Sequence, residues 1–256
     1  MKTVRLFGLD FIDDVDHLSL LRDIAGNKVD EEGTLPLLIT PNVDQIVKLH
    51  RDENKEIMVA AKKARYVLPD GQPLVWLSKW KYGKGGLRSR LTGSDLFPLL
   101  WSDIRLRGER VLMILPSDEL GGRFEAEYHL CKAYAPPFFT LDDRPAYDEV
   151  LKVCRELLSD GTYTHVLIGL GFPKQERLAL DLMSESSTGH PPLFYLLGAS
   201  FEFYFGTKSR APQWVQKIGL EFLHRMLSEP RRMIKRYLWD DLAFLPLAWK
   251  EWRKKA

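Results

Sequence analysis

The stretch LPLLITPNVDQIVKLH, residues 35–50, joins a short apolar run directly to an amphipathic segment. The run LPLLIT (35–40) has the length and composition of a buried strand. After it, Asn42 is a suitable N-cap for a helix over NVDQIVKLH (42–50), whose apolar residues recur at helical spacing. A strand followed at once by a helix is the repeating unit of an α/β protein.

The same alternation continues along most of the chain. Strands are predicted at YVL (66–68), VLMIL (111–115), THVLIGLG (164–171) and LFYLLGAS (193–200), and helices at ENKEIMVAAKKA (53–64), QPLVWLSKW (72–80), GRFEAEYHLCKAY (122–134), YDEVLKVCRELLSD (147–160) and PKQERLALDLMS (173–184). Alternating elements with short connections favour a mainly parallel sheet with helices on both faces. The sequence therefore predicts a Rossmann-like α/β fold with a C-terminal helical appendage.

Charge is distributed unevenly over the 256 residues. The net charge is +2, but residues 208–256 hold 12 Lys or Arg against 5 Asp or Glu, together with four of the seven tryptophans. We therefore divide the chain into an α/β domain (1–207) and a basic, aromatic-rich appendage (208–256), helical with breaks at Pro230 and Pro246. Such an appendage favours an anionic partner, either a membrane surface or a nucleic acid.

Several classes of protein are disfavoured. Cys131 and Cys154 fall in amphipathic segments and indicate neither a disulfide framework nor a metal clip. The first residues turn acidic too early for a secretory signal, and no stretch reaches the roughly 20 apolar residues of a membrane-spanning helix. The histidines lack H-x-x-x-H spacing, and there is no Walker A loop or G-x-S-x-G elbow. We expect a cytoplasmic protein without a metal site or a cofactor.

Polar motifs follow three of the predicted strands, at TPN (40–42), PDG (69–71) and GLGFPKQE (169–176). Ligands of parallel sheets bind outside the carboxyl ends of the strands. Glycines at such a strand end let backbone N–H groups approach a phosphate, and Lys174 and Gln175 could reach the same ligand. These motifs therefore predict a binding site at one edge of the sheet.

Each motif also has a purely structural interpretation. GLGFPKQE is a plausible helix start with Pro173 in its first turn, and TPN is a plausible N-cap. Asp70 could be a simple turn residue between Pro69 and Gly71. LTGSDL (91–96) has the same ambiguity, because its hydroxyl and carboxylate side chains are good helix caps. Taken singly, none of these motifs decides the function.

Taken together, the motifs carry a resemblance. The ordered series TPNVDQIV, ARYVLPDGQPLVW, LTGSDLFPLL, GLGFPKQE and GASFEFYFGTKSRAPQWVQKIGLEFLHRMLSEPRRMIKRYL, spread over roughly residues 5–238, resembles the WecG/TagA/CpsF family of bacterial glycosyltransferases, glycosyltransferase family 26. The resemblance implies an inverting, metal-independent enzyme that moves a sugar from a UDP-sugar to a polyprenyl-diphosphate-linked acceptor. It also implies a peripheral protein at the cytoplasmic face of the bacterial membrane, and sugars such as N-acetylmannosamine, its uronic acid or glucose.

The resemblance also assigns residues. It implies that Asp70 is the general base, that Thr40 and Asn42 line its pocket, and that basic residues of the appendage reach the diphosphate. The residues expected to bind substrate are Thr40, Asn42, Gly71, Thr92, Asp95, Gly169, Gly171, Lys174, Gln175, Glu176, Arg225, Arg232 and Lys235.

Two segments depart from the pattern of the family. MILPSDELGG (113–122) replaces a glycine-ended strand, and APPFFTLDDRPAYDEV (135–150) replaces a Gly-Tyr-Phe region, so the donor preference is left open. Two other functions also stay open at this point. One is a non-enzymatic nucleic-acid-binding module with a basic tail, and the other is a hydrolase or epimerase that acts on a nucleotide-sugar. We expect no nucleic-acid partner, and homo-oligomerisation is undecided.

Overall fold

The structure is a computed structural model that describes residues 1–13, 16–26, 33–184, 191–208, 215 and 243–254. The strands are β1 (Lys2–Leu6), β2 (Leu9–Asp13), β3 (Leu35–Ile39), β4 (Ala64–Val67), β5 (Val111–Ile114), β6 (Cys131–Tyr134), β7 (His165–Ile168) and β8 (Leu193–Leu196). The α-helices of the described ranges are α1 (His17–Gly26), α2 (Val43–Leu49), α3 (Lys55–Ala61), α4 (Gln72–Tyr82), α5 (Gly93–Arg107), α6 (Asp118–Glu127), α7 (Arg144–Leu158), α8 (Lys174–Met183), α9 (Ser200–Tyr204) and α10 (Phe244–Arg253).

Six strands form one parallel sheet in the order β4-β3-β8-β7-β5-β6. Because every strand of this sheet runs the same way, all six carboxyl ends lie at one edge. β1 and β2 form a separate antiparallel hairpin. The prediction of a Rossmann-like α/β fold with a helix near the C terminus is confirmed.

Helices cover both faces of the parallel sheet, as strands that are buried on both sides require. Successive residues of β5 point to opposite faces, so that Leu112 and Ile114 pack with α2, α4, α7 and α8, whereas Val111 and Met113 pack with α1, α5 and α6. α10 lies on the first of these faces, against α2 and α4. Within the described residues, no helix has the length and apolar character needed to cross a membrane.

The prediction of one helix over residues 122–134 is wrong. α6 ends at Glu127, and Cys131–Tyr134 forms the edge strand β6, which pairs with β5. Cys131 therefore belongs to a strand, and its side chain is buried under the second face. Cys131–Tyr134 lies in register with Val111–Ile114, and this pairing with β5 outweighs the helical spacing of its residues.

The predicted helix break at Pro246 is also wrong. Pro246 lies at the third position of α10, within the first turn. The N–H groups of a first turn have no partner inside the helix, so a proline there removes no hydrogen bond. Pro230 lies outside the described residues.

Candidate active site

A cleft of about 460 Å³ opens at the carboxyl edge of the sheet. The residues that follow β3, β4, β5, β7 and β8 all contribute to its wall, which is largely polar. Among the residues predicted from the sequence, the cleft brings together Thr40, Asn42, Asp70, Thr92, Gly169 and Gly171. Four motifs that are far apart in the sequence therefore meet at one site.

Backbone hydrogen bonds fix Asp70 at the end of β4. The ladder between β3 and β4 continues past the strands, because Leu68 donates to the Ile39 carbonyl at 2.9 Å and Asp70 donates to Pro41 at 3.3 Å. The carbonyl of Pro69 accepts from Leu91, just before α5, at 2.9 Å. Asp70 is half-buried and lines the cleft. The turn that carries the Asp70 carboxylate is thus hydrogen-bonded both to the segment after β3 and to the segment before α5.

The residue after Asp70 needs to be glycine for a conformational reason. Gly71 has φ +130°, in a region that side chains with a Cβ rarely adopt, and it is also the N-cap of α4. Gly71 allows the backbone to turn from β4 into α4. Among the described residues, Gly71 is not one of those that line the cleft.

Asn42 caps α2 and also lines the cleft. Its side-chain oxygen accepts from the backbone of Gln45 at 3.1 Å, while its backbone N–H donates to the Gln45 side chain at 3.0 Å. This reciprocal capping box satisfies two N–H groups at the start of the helix. Thr40 is buried two residues earlier and faces the same cleft. Asn42 is therefore both a helix cap and a residue of the cleft wall, so the two interpretations of TPN are compatible.

Thr92 and Asp95 form the cap of α5. The hydroxyl of Thr92 accepts from the Asp95 backbone at 3.1 Å and donates to the Asp95 carboxylate at 2.7 Å. Thr92 and its neighbour Ser94 line the cleft, whereas Asp95 does not. Asp95 is therefore a helix-cap residue, as the structural interpretation of LTGSDL has it. Ser94 lines the cleft but was not among the predicted substrate-binding residues.

The glycines after β7 do not offer their amides to the cleft. Gly169 donates to the Ile114 carbonyl at 2.9 Å, and Gly171 donates to the Gln175 side chain at 3.1 Å. Gly169 is required for packing, because a Cβ there would lie 2.7 Å from the ring of Phe201. The loop therefore shapes the wall through close packing.

The three polar residues that begin α8 point away from the cleft. Lys174 donates to the Phe139 carbonyl and lies over the rings of Phe138 and Phe139, 4.7 Å from each centroid. Gln175 is buried and donates to Glu176 at 2.9 Å in addition to its bond from Gly171. In the described residues these side chains support the loop after β7.

Glu176 is fully enclosed between the sheet and α8. One of its carboxyl oxygens accepts from Gln175, and the other has no hydrogen-bond partner among the described residues. It lines a small pocket of about 20 Å³ that is otherwise mainly apolar and shares Thr40 with the cleft. Burial raises the pKa of Glu176 to about 7. The carboxyl group therefore titrates near physiological pH and is only partly ionised there.

Other charged residues of the cleft were missed by sequence analysis. Asp44 and Lys48 form an ion pair on α2, 2.9 Å apart, and Lys208 pairs with Glu202 at 2.8 Å. Asp44 and Lys48 have the i, i+4 spacing of an ordinary surface pair, so nothing in the pattern marks them as part of a site. Lys208 follows α9, a helix too short to be recognised from periodicity.

Three predicted residues, Arg225, Arg232 and Lys235, lie outside the described residues. Within the described ranges, no group of three or more histidine, cysteine, aspartate or glutamate side chains is arranged to hold a metal ion.

One comparison with known proteins bears on the cleft. A family model described as "Glycosyl transferase WecG/TagA/CpsF family" matches residues 4–256, nearly the whole chain. The match begins within β1 and includes α10, and it contains every residue assigned above to the cleft.

Proposed function

The chain belongs to the WecG/TagA/CpsF family of glycosyltransferases, and we propose that it transfers a sugar from a UDP-sugar to a polyprenyl-diphosphate-linked acceptor with inversion. The observation that carries this proposal is the meeting of Thr40, Asn42 and Asp70 in one cleft at the carboxyl edge of the sheet. We place the reaction at the cytoplasmic face of a bacterial membrane, in the synthesis of a cell-surface polysaccharide.

Asp70 is the proposed general base. Its carboxylate takes the proton of the acceptor hydroxyl, and the oxygen attacks the anomeric carbon of the donor from the side opposite UDP. One displacement of this kind inverts the anomeric configuration and requires one base. Such help is worth about 10²–10⁴-fold in rate. The two-sided support of the Asp70 turn favours this assignment, because a base acts best when its geometry is fixed beforehand.

The leaving UDP gains negative charge, which cations must stabilise. Lys48 and Lys208 are the cations that the described part of the cleft offers, and each is paired with a carboxylate. Arg225, Arg232 and Lys235 are proposed to complete the diphosphate site, since guanidinium groups bind phosphate in a bidentate manner. Thr40, Asn42, Thr92 and Ser94 are proposed to bind sugar hydroxyls.

The test is a transfer assay with defined donors and a water-soluble acceptor. The full-length chain is incubated with UDP-N-acetylmannosamine, its uronic acid or UDP-glucose, with and without a short-chain prenyl-diphosphate-linked sugar. We expect a new glycosidic bond, with inverted configuration by NMR, for at least one donor, and UDP release only when the acceptor is present. Equal UDP release without acceptor would identify a hydrolase, and a product of retained configuration would contradict the role of Asp70.

A further inference from the structure

The outer sides of α4 and α10 form one aromatic surface, which we call the tryptophan surface. Trp80 stacks on Trp252 with ring centroids 4.8 Å apart, and Trp249 lies 5.2 Å from Trp252. Trp76 precedes Trp80 by one helical turn and extends the row along α4. Trp76, Trp80 and Trp249 are 51%, 61% and 54% exposed. Clustered exposed tryptophans of this kind mark an interaction site.

A buried ion pair holds the two halves of this surface together. Lys81 of α4 and Glu251 of α10 lie 2.8 Å apart, with each side chain 5% exposed, although they are 170 residues apart in sequence. Phe244, at the start of α10, packs on Phe7 of the hairpin at 5.5 Å. The surface is therefore a fixed composite of the α/β domain and the last described helix.

The exposed charges of the two segments that form the tryptophan surface have one sign. In residues 72–89 and 243–254, the exposed charged side chains are Lys79, Lys84, Arg88, Lys250, Arg253 and Lys254. The single carboxylate of these two segments, Glu251, is buried between Lys81 and Lys254. Exposed indoles surrounded by cations match the headgroup zone of an anionic bilayer, where tryptophan and basic side chains are both favoured.

We infer that the tryptophan surface docks on an anionic lipid bilayer and that α4 links this surface to the turn that carries Asp70. α4 begins directly after Asp70 and Gly71. At 1.5 Å per residue, Trp76 and Trp80 lie roughly 6 and 12 Å along the helix from Gln72. Measured along α4, the turn that carries the candidate base is thus about one to two helical turns from the docked indoles, and docking would bring the cleft toward an acceptor held in the bilayer. This last step rests on the proposed function.

Vesicle binding of the full-length chain tests the inference. The variant Trp76→Gln/Leu245→Gln replaces two exposed apolar side chains that are outside the Trp80–Trp252 stack. We expect its partition onto phosphatidylcholine vesicles containing phosphatidylglycerol to fall by about tenfold. Lys250→Gln and Arg253→Gln each weaken it by roughly fivefold on anionic vesicles and have little effect on vesicles of phosphatidylcholine alone.

The matched control is Leu106→Gln. Leu106 is 84% exposed, but it belongs to α5, on the opposite face of the sheet. This variant should bind vesicles like the parent. Parental vesicle binding by Trp76→Gln/Leu245→Gln would overturn the inference. So would a change of sedimenting mass in that variant with unchanged vesicle binding, because the surface would then join two copies of the chain.

The water-soluble acceptor separates this inference from the proposed function. Variants of the tryptophan surface should transfer sugar to that acceptor at the parental rate and lose rate only on an acceptor embedded in vesicles. Absence of transfer by the parent would refute the proposed function while the vesicle result still stands. Equal loss on both acceptors would overturn the docking role, because the defect would then lie in catalysis.

Discussion

The backbone N–H of Asp70 donates to the carbonyl of Pro41, at 3.3 Å, across the ends of two neighbouring strands. This bond ties the turn that carries the candidate base to the segment between Thr40 and Asn42. Asp70 on one side of the bond, and the two neighbours of Pro41 on the other, line the same cleft. The backbone segments that carry the Asp70 carboxylate and the polar groups after β3 are therefore held next to each other before any ligand binds.

Asp70→Asn should lower the turnover number by about 10²–10⁴-fold and leave the fold intact. The amide is similar in size but cannot accept a proton. Turnover with the water-soluble acceptor and thermal unfolding measure the two effects. Asp52→Asn is the control, because Asp52 is exposed and outside the cleft. Turnover of Asp70→Asn within a few-fold of the parent would remove Asp70 from the mechanism.

Two substitutions separate the cap from the binding role of Asn42. Asn42→Ala removes the acceptor for Gln45 and should lower the free energy of unfolding by about 1 kcal/mol. Asn42→Asp keeps an acceptor and should be about as stable as the parent. If the amide N–H₂ group binds ligand, Asn42→Asp still raises KM for the donor or acceptor. Parental kinetics in Asn42→Asp would show that Asn42 acts only as a cap.

Glu176 should make stability fall as the pH rises. The folded protein keeps the Glu176 proton up to about pH 7, whereas the unfolded chain releases it near the ordinary pKa of 4.5. Between these values the unfolded chain binds fewer protons, so the free energy of unfolding decreases by up to about 3 kcal/mol. Above the pKa of the folded protein, Glu176 is ionised in both states, and the free energy of unfolding decreases no further on its account.

Glu176→Gln removes this titration and keeps an oxygen that can accept from Gln175. Urea unfolding should show the variant to be more stable than the parent at pH 8, with the difference shrinking toward pH 4.5. Glu53→Gln, at an exposed position, serves as the control. Identical pH profiles of the Glu176→Gln variant and the parent would mean that Glu176 titrates normally.

Tyr195→Phe should destabilise the protein without affecting transfer. The buried hydroxyl of Tyr195 lies 2.9 Å from Nδ1 of His165, whose Nε2 lies 2.7 Å from Glu109. Loss of the hydroxyl leaves a buried ring nitrogen unpaired, at a cost of about 1–3 kcal/mol. His165 begins β7, at the end of the sheet opposite the cleft, so kcat and KM should not change. Urea unfolding and the transfer assay measure both quantities, and a changed KM would contradict this separation.

Lys81→Met should loosen α10 selectively. Lys81→Met removes one of the two ammonium groups that bind the enclosed Glu251 carboxylate, and because Lys254 remains as the other, we expect a cost of about 1.5–3 kcal/mol, that of a lost hydrogen bond to a charged group. Hydrogen exchange of residues 244–253 should therefore accelerate, while that of β5 and β7 remains slow. Lys55→Met, which breaks an exposed ion pair with Asp52, is the matched control. If residues 244–253 exchanged as slowly in Lys81→Met as in the parent, the ion pair would not be what holds α10 in place.

The alternation of strands and helices was predictable because the spacing of apolar residues within each short segment indicates a strand or a helix. β3, β4, β5, β7 and β8 all fall within predicted strands or next to their limits. β6 was not predictable in this way, since CKAY continues the helical spacing of α6 and becomes a strand only through pairing with β5. The hairpin β1–β2 turns at Phe7 and Gly8, both with positive φ, which differs from the Asn-Gly pair typical of such turns.

The site was predictable only in part, for a similar reason. Strand-end motifs identified Thr40, Asn42 and Asp70, because the position of a strand end follows from the order of elements along the chain. The side chains of Lys174, Gln175 and Glu176 were expected to face a ligand, but the path of the loop after β7 aims them into the protein. Such orientation depends on tertiary packing, which local sequence does not encode.

The place of β8 in the sheet has a consequence for biosynthesis. β8 is the last strand of the sheet to be translated, yet it lies at the centre, between β3 and β7. Until residues 193–196 have been made, the β3–β4 pair and the β5–β6–β7 group have no common strand to join them. The two walls of the cleft thus come together late, through contacts between distant parts of the chain that form slowly. A nascent or truncated chain lacking β8 would therefore have no complete cleft, and any activity of this site would arise only after residues 193–196 have joined the two halves of the sheet.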